Sequence, residues 1–443
     1  MSTSFLPKNP GPAGWNKILP PPKAPKTLEE NLSSDFLIIG GGFAGLAAAQ
    51  RLHQINPDAT VTVLEAIRVG DGPSGRNSGF MIDIPHDLSS NNYSGNLASD
   101  ISEIKRNRRG IEFAKEMANE FNLTKEAFDF TGKINGASTD KGARHNLDFA
   151  KHLSALSEKY EILDSKKMAD ITGTSYYKNG LFTPKSVIIQ PALYIRSIAS
   201  GLQKKGIKIF ENSPVINLTR ETNWSARTPK GKVEAPVTIL AVNGYLNNFG
   251  FMQSRLLHIF TYASMTRELT REENNKLLGR SSWALTSADP MGTTVRRISG
   301  TGGNRIIIRN KFTFNPSMNV SKNFLSKACK THSRAFKNRF PILKNIKMEY
   351  QWGGQLCFSR NNVQVVKNLD DGLFSACCQN GLGTAKGTLA GICAAELATK
   401  EESEITKAVV NEQKPQILPP KPITYIGANS YIKLQEWKAG KEL

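Results

Sequence analysis

Six consecutive residues, Gly40-Gly41-Gly42-Phe43-Ala44-Gly45, constrain the fold of this chain more than any other feature. They satisfy G-x-G-x-x-G and stand between an apolar run at residues 35–39 and a run of small and apolar residues at 46–55. The first run reads as a buried strand, the second as a helix, and residues 60–65 as another buried strand. Parallel strands need a crossover, and the spacing admits one helix between them. The first glycine makes a tight turn, the second lets backbone approach a pyrophosphate, and the third lets helix pack on strand. The helix start offers unpaired N–H groups to phosphates. Glu65 lies twenty residues beyond Gly45, at the end of the second strand, where a carboxylate accepts hydrogen bonds from ribose hydroxyls. Its charge disfavours a 2′-phosphorylated ribose, which leaves NAD and FAD.

With 443 residues the chain exceeds one ordinary core, and two or three domains are expected. A content of 39% hydrophobic and 22% charged residues is that of a globular protein, neither collagen-like nor disordered. Five cysteines with no C-x-x-C argue against a disulfide framework and against zinc, so no metal is expected and a reducing compartment fits. Residues 1–32 show no apolar core followed by a cleavage-like site, and Pro-rich 20–25 reads as an extended arm. Residues 36–49 are broken by glycines and too short to span a bilayer, which takes ~20 residues. No transmembrane segment is expected, and the expected location is cytoplasmic, at most peripheral to a membrane.

The formal charge of +20 is unevenly distributed. Residues 290–348 lack Asp and Glu yet hold Arg296, Arg297, Arg305, Arg309, Lys311, Lys322, Lys327, Lys330, Arg334, Lys337, Arg339, Lys344 and Lys347. The stretch reads as a solvated basic face, because the aromatic interleaving of a nucleic-acid platform is weak in it.

Further along, residues 97–121, 143–160 and 190–205 carry helical patterns, and 132–138 reads as a strand. Strands at 207–210, 215–219 and 237–241 read as the chain's return to the first sheet. Residues 256–267, 282–285, 305–309 and 348–358 have the β-branched and aromatic content of a second, mostly antiparallel sheet. A last buried strand at 374–378 leads through Gly381 and Gly383 into a helix of small residues at 384–397.

The loop Asp71-Gly72-Pro73-Ser74-Gly75-Arg76-Asn77-Ser78-Gly79 is dense in donors. With it, the N-terminal motif and Cys377-Cys378-Gln379-Asn380-Gly381-Leu382-Gly383-Thr384 resemble the FAD-dependent D-amino-acid oxidase superfamily of glycine and sarcosine oxidases. Within it, the γ-glutamylputrescine oxidase-like branch is the most similar. The similarity runs from about residue 35 to about 398, specific at both ends and vague in the middle. It implies an α/β fold: a discontinuous Rossmann-like FAD-binding domain of the glutathione-reductase type, with an interleaved α+β substrate domain containing a mostly antiparallel sheet. The expected division is an arm at 1–33, a cofactor domain from 34–90, 180–245 and 355–410, a substrate domain from 91–179 and 246–354, and a tail at 411–443.

The resemblance also implies the cofactor contacts. Gly40, Gly42, Phe43, Ala44 and Gly45 would face the pyrophosphate, and Glu65 and Ala66 the ribose. Ser74, Gly75, Arg76, Asn77, Ser78 and Gly79 would wrap the flavin, and the backbone of Val215 would meet the adenine. Gly381, Leu382, Gly383 and Thr384 would aim a helix start at the flavin carbonyl edge, where partial positive charge stabilises a reduced anionic ring.

Flavin amine oxidation needs a held substrate carbon and excluded water, with neither nucleophile nor metal, so its sequence trace is faint. A substrate carboxylate is best gripped by arginine. Arg297 matches a family arginine, although Arg296 precedes it where relatives have Tyr or Phe. Arg305 and Arg309 fall on one face of a strand, read as facing solvent, and Arg309 stands where relatives tend to have glycine. Trp352, Tyr262 and His86 complete the candidate pocket, and Cys357 resembles the position of covalent flavin attachment in monomeric sarcosine oxidases. Non-covalent FAD is the expected state. The expected reaction is oxidation of a C–N bond in a primary or secondary amine or amino acid, one with an acidic end, with dioxygen or a respiratory carrier as acceptor. The alternatives are a flavin-containing RNA-modifying or RNA-binding protein, raised by the charge, and a catalytically lapsed FAD binder, raised by Arg309 and Cys377-Cys378-Gln379.

Overall fold

The computed structural model describes residues 6–85 and 95–443. Its centre is a six-stranded sheet in the order Lys208–Phe210, Val61–Leu64, Phe36–Ile39, Val237–Leu240, Leu373–Cys377, Val365–Asp370. The first five are parallel and the last is antiparallel. Ile38 lies between Val63 and Ile239, and all three are buried, which is why these strands carry no charged residue and only the buried Thr62 and Thr238 among β-branched and apolar ones. The sheet is assembled from both ends of the chain, as a discontinuous domain requires.

Two helices of small residues pack on it, Phe43–Ile55 and Ala385–Thr399. They cross so closely that a Cβ at Gly391 would stand 2.1 Å from the carbonyl oxygen of Ala44. Alanine and glycine at the crossing therefore bring the N-terminal ends of both helices to one place.

The second sheet has eight strands in the order Met348–Ser359, Leu256–Thr266, Gly303–Phe314, Thr294–Gly300, Trp283–Ser287, Lys133–Ala137, Asn179–Thr183, Glu161–Leu163. Neighbours are antiparallel except Trp283–Ser287 with Lys133–Ala137. It matches the expected mostly antiparallel sheet. Asn179–Thr183, placed by sequence at the edge of the cofactor segment, pairs here instead.

Other expectations are corrected. Asn217–Arg220 does not return to the first sheet; it pairs with Trp224–Arg227 in a separate four-stranded sheet that also takes in Asn31–Ser33. The basic run is not one solvated face. Arg296, Arg297, Arg305 and Arg339 are buried, and Lys311 pairs with Glu436. Arg305 donates to the carbonyl of Thr266 at 2.8 Å and pairs with Glu349, while Arg309 turns into the cavity described next. The exposed lysines of the run are Lys322, Lys327, Lys330 and Lys337 on the helix Lys322–Arg339, whose Ala328, His332, Ala335 and Phe336 face inward, and Lys344 and Lys347 beyond it.

Candidate active site

One continuous cavity of about 930 Å³ opens at the carboxyl ends of the parallel strands, where α/β sheets hold their ligands. It sits at the upper end of the roughly 300–1,000 Å³ typical of ligand clefts. Gly40, Gly42, Phe43, Ala44, Glu65, Ala66, Ser74, Asn77, Ser78 and Val215 line it from the first half of the chain, and Gly381, Leu382, Gly383 and Thr384 from the second.

Gly40 has φ +110°, and a Cβ there would stand 2.5 Å from the carbonyl oxygen of Ala241. At Gly45 a Cβ would stand 1.8 Å from the carbonyl oxygen of Gly40, so helix and strand touch. Gly42 differs: a Cβ there meets nothing nearer than Ser74 at 3.8 Å, because its open side is the cavity. No side chain caps either helix start, at Gly42 or at Thr384. Both therefore present backbone donors and partial positive charge to an anion.

The Glu65 carboxylate accepts from the N–H of Gly41 at 2.8 Å and of Ile67 at 3.1 Å. Burial nonetheless raises its pKa, so hydroxyl donors from a ligand would meet an under-stabilised acceptor. Asn77 stitches the loop, donating to the carbonyl of Ser74 at 2.7 Å and accepting from Gly79 N–H at 2.8 Å. Thr384 Oγ1 donates to Phe80 O at 2.6 Å, tying the C-terminal turn to the loop's far end. Pyrophosphate donors, a ribose acceptor and a second helix start thus surround one cavity, a set that fits FAD.

Four expected cofactor contacts do not line the cavity. Gly45 and Gly75 serve close backbone packing, a Cβ at Gly75 standing 1.8 Å from Gly70 O. Gly79 takes φ +79° beneath an arginine. Arg76 turns away, donating to Gly353 O at 2.8 Å, Pro10 O at 2.7 Å and Gly11 O at 2.6 Å. It fastens the N-terminal arm and the large sheet behind the loop, and burial brings its pKa down to about 10.

The expected substrate residues lie elsewhere as well. Trp352 is fully buried and donates from Nε1 to Arg76 O at 3.0 Å, a support behind the loop. The Tyr262 hydroxyl pairs with Thr313 Oγ1 at 2.6 Å in a dry site that pushes its pKa up to about 12. Arg297 holds Leu277 O and Leu278 O, each at 3.1 Å, and Asn274 Oδ1 at 2.9 Å. His86 lies outside the described residues.

Arg296 is the arginine that sequence reasoning passed over. Successive strand residues point to opposite faces, so it and Arg297 part company. Its guanidinium donates to Ser78 O at 3.0 Å and Ile189 O at 2.7 Å and lies 4.8 Å from the centre of the Trp15 ring. Burial lowers its pKa to about 9. Replacing it should loosen the loop that lines the cavity. We expect Arg296→Met to weaken flavin binding at least about tenfold, and Arg297→Met to cost roughly 1–3 kcal/mol of stability with flavin affinity held within about twofold. Flavin titration and chemical denaturation separate the two.

The large sheet supplies the remaining wall through Thr286, Ser287, Asp289, Thr294, Arg309, Phe312 and Gln355 to Ser359. The Arg309 guanidinium sits 4.6 Å from the centre of the Phe312 ring. Across the mouth, Lys386 pairs with Glu103 at 2.7 Å and Asp100 with His152 at 2.8 Å. Cys357 also lines the cavity, and the neighbouring Cys378 thiol together with burial raises its pKa well above the usual range.

The chain resembles known proteins over most of its length. The γ-glutamylputrescine oxidoreductase of Escherichia coli (strain K12) is 25% identical over 383 residues, 84% of this chain and 85% of that protein. The probable oxidoreductase OrdL of Rhizobium meliloti (strain 1021) is 22% identical over 415 residues, 90% of this chain and 91% of its own. Among solved structures, glycine oxidase from Geobacillus kaustophilus superposes with a TM-score of 0.70 at 16% identity, covering 87% of this chain and all of that one (100%). L-proline dehydrogenase from P. horikoshii gives 0.65 at 17% identity, covering 86% and 97%. The sequence model of the FAD-dependent oxidoreductase family, DAO, matches residues 35–397, the span that builds both sheets and the cavity between them, and the chain belongs to that family.

Proposed function

We propose that the protein oxidises a C–N bond of a small amine or amino acid that carries a carboxylate. The carrying observation is the single cavity that runs from the dinucleotide turn at Gly40–Gly42 to Arg309 on the large sheet. A relative that acts on γ-glutamylputrescine and a fold shared with glycine oxidase and proline dehydrogenase support an amine-bearing substrate.

Bound FAD supplies the hydride acceptor. Gly42, the helix start at Phe43 and Glu65 anchor its nucleotide half, and Gly381 to Thr384 would neutralise charge developing on the ring. Arg309 holds the substrate carboxylate, the half-buried guanidinium of Phe312's neighbourhood being better suited than a mobile lysine to bidentate capture. Buried Phe80 and Ile82 line the cavity beside Leu382 and exclude bulk water there. Loss of a hydride from the carbon beside a neutral amine leaves a protonated imine, which water hydrolyses, with release of the proton, to a carbonyl compound and an amine or ammonia. The expected products are these two in equal amounts, measured with purified holoenzyme; a product that retains its C–N bond would contradict the reading.

FAD is held without a covalent link. A nucleophilic thiolate is needed for thioether formation, and Cys357 is kept protonated by Cys378 and by burial. Denaturation should release all the yellow colour into the supernatant, and colour left on the precipitated chain would contradict this.

A further inference from the structure

The helix Lys421–Ala439 is inverted relative to an ordinary surface helix, which buries its apolar stripe. Toward the protein it sends Thr424, Ala428, Ile432, Gln435, Glu436 and Ala439. It is held there by polar contacts: Glu436 accepts from Phe312 N–H at 3.0 Å and pairs with Lys311. Toward solvent it sends Ile423, Ile426, Leu434 and Trp437, with Tyr431 beside them, and Trp437 is 77% exposed. At 100° per residue these four fall within about 80° of arc, one stripe along the helix. Gly427 and Ser430 divide the stripe into one pair, Ile423 and Ile426, and a second pair, Leu434 and Trp437, and exposed apolar clusters of this kind mark a surface that meets something.

The charges around the stripe say what it meets. From residue 413 onward the chain has lysines at 414, 421, 433, 438 and 441 and only two acidic side chains, Glu436 and Glu442. Both are turned inward: Glu442 accepts from Ser138 N–H at 2.8 Å, Thr139 N–H at 2.9 Å and Ser287 Oγ at 3.0 Å. The terminal residue is also engaged, Leu443 O accepting from Thr293 Oγ1 at 2.6 Å. Arg339 donates to Glu442 O at 2.9 Å, which joins the end of the basic helix Lys322–Arg339 to the end of this one. That helix exposes Lys330, Arg334 and Lys337. A second copy of a +20 chain would bring lysine onto lysine. An anionic bilayer offers opposite charge together with an interface that favours Trp, Tyr and Lys. Among the described residues no helix is long and apolar enough to cross a membrane, so the geometry is that of a helix lying on the surface.

We propose that Lys421–Ala439 docks the protein on an anionic lipid surface, with Ile423, Ile426, Leu434 and Trp437 inserted and the flanking lysines on the headgroups. This does not depend on the substrate reading above.

The test uses purified holoenzyme and vesicles of phosphatidylcholine alone or with phosphatidylglycerol, sedimented at low and high salt. Binding to the anionic vesicles should exceed binding to neutral ones at least about tenfold and fall with salt. Tryptophan emission should shift to the blue on binding. That shift reports Trp437, because Trp15, Trp224, Trp283 and Trp352 are buried. Ile426→Ser with Trp437→Ser should abolish binding while circular dichroism and flavin absorbance stay unchanged, and Lys433→Gln and Lys438→Gln should each weaken it about fivefold. The proposal is overturned by no binding to anionic vesicles at low salt, by equal binding to neutral ones, or by undiminished binding of the doubly substituted protein. A dimer that Trp437→Ser dissociates would give the stripe to a second copy and overturn it too.

Discussion

Gly42→Val is expected to yield a folded, colourless protein. The glycines of the turn are alike in sequence and opposite in what they tolerate. A side chain at Gly42 meets only Ser74 at 3.8 Å, and φ there is −91°, an ordinary value for any residue. The new methyl groups therefore occupy cavity and leave the chain undisturbed. They stand where a pyrophosphate must touch backbone N–H groups, so flavin affinity should fall by a factor of roughly a hundred or more, the loss of two charge-assisted hydrogen bonds at about 1.5–3 kcal/mol each. Gly45→Ala should act in the reverse order. Its Cβ would stand 1.8 Å from Gly40 O, both partners are backbone, and the strand and helix must separate. The expected result is insoluble or thermally fragile protein, with flavin loss following unfolding. Melting curves and the ratio of flavin absorbance to protein absorbance distinguish the two substitutions. Full flavin occupancy in Gly42→Val would show that the cofactor lies elsewhere.

Arg309→Met is expected to lower kcat/KM for a carboxylate-bearing amine by about 30-fold or more, since removal of one partner from a desolvated charge pair costs roughly 2–5 kcal/mol. The loss should appear mainly in KM, because the carboxylate is held alike before and during hydride loss. Arg309→Lys should recover only part, as an ammonium lacks the planar fork. An amine without an acidic group should lose little, and flavin affinity should not move, because Gly42, Glu65 and Gly381 to Thr384 follow strands of the six-stranded sheet, and the arginine that holds the Ser74–Gly79 loop from the large sheet is Arg296. Equal losses for both kinds of amine would remove Arg309 from substrate binding.

What could be read in the sequence follows burial. The parallel strands are covered on both faces, so Ile38, Val63 and Ile239 sit in short runs of β-branched and apolar residues broken only by the buried Thr62 and Thr238, and glycine spacing between them admits one geometry. The short strands Asn217–Arg220 and Trp224–Arg227 mix exposed and buried positions over four residues, too few for alternation to show. Arg296 and Arg297 pose a different difficulty: resemblance places an arginine on a strand, and a shift of one residue moves it to the other face. Trp352 and Arg76 were legible as members of the site region, but whether each faces the cavity or braces it from behind depends on the arm at Pro10 and Gly11, which no motif marks. The helix Lys322–Arg339 was concealed by its lysines, and Lys421–Ala439 by presenting its apolar side outward.

The most direct test of the central claim is anaerobic titration of the purified, flavin-loaded protein with a panel of amines and amino acids, followed by the flavin absorbance near 450 nm, a band property of oxidised flavin at about that wavelength. Bleaching by at least one carboxylate-bearing amine, at one substrate per flavin and without any nicotinamide, is the expected result. Reduction by NADPH alone, with every amine inert, would contradict the account.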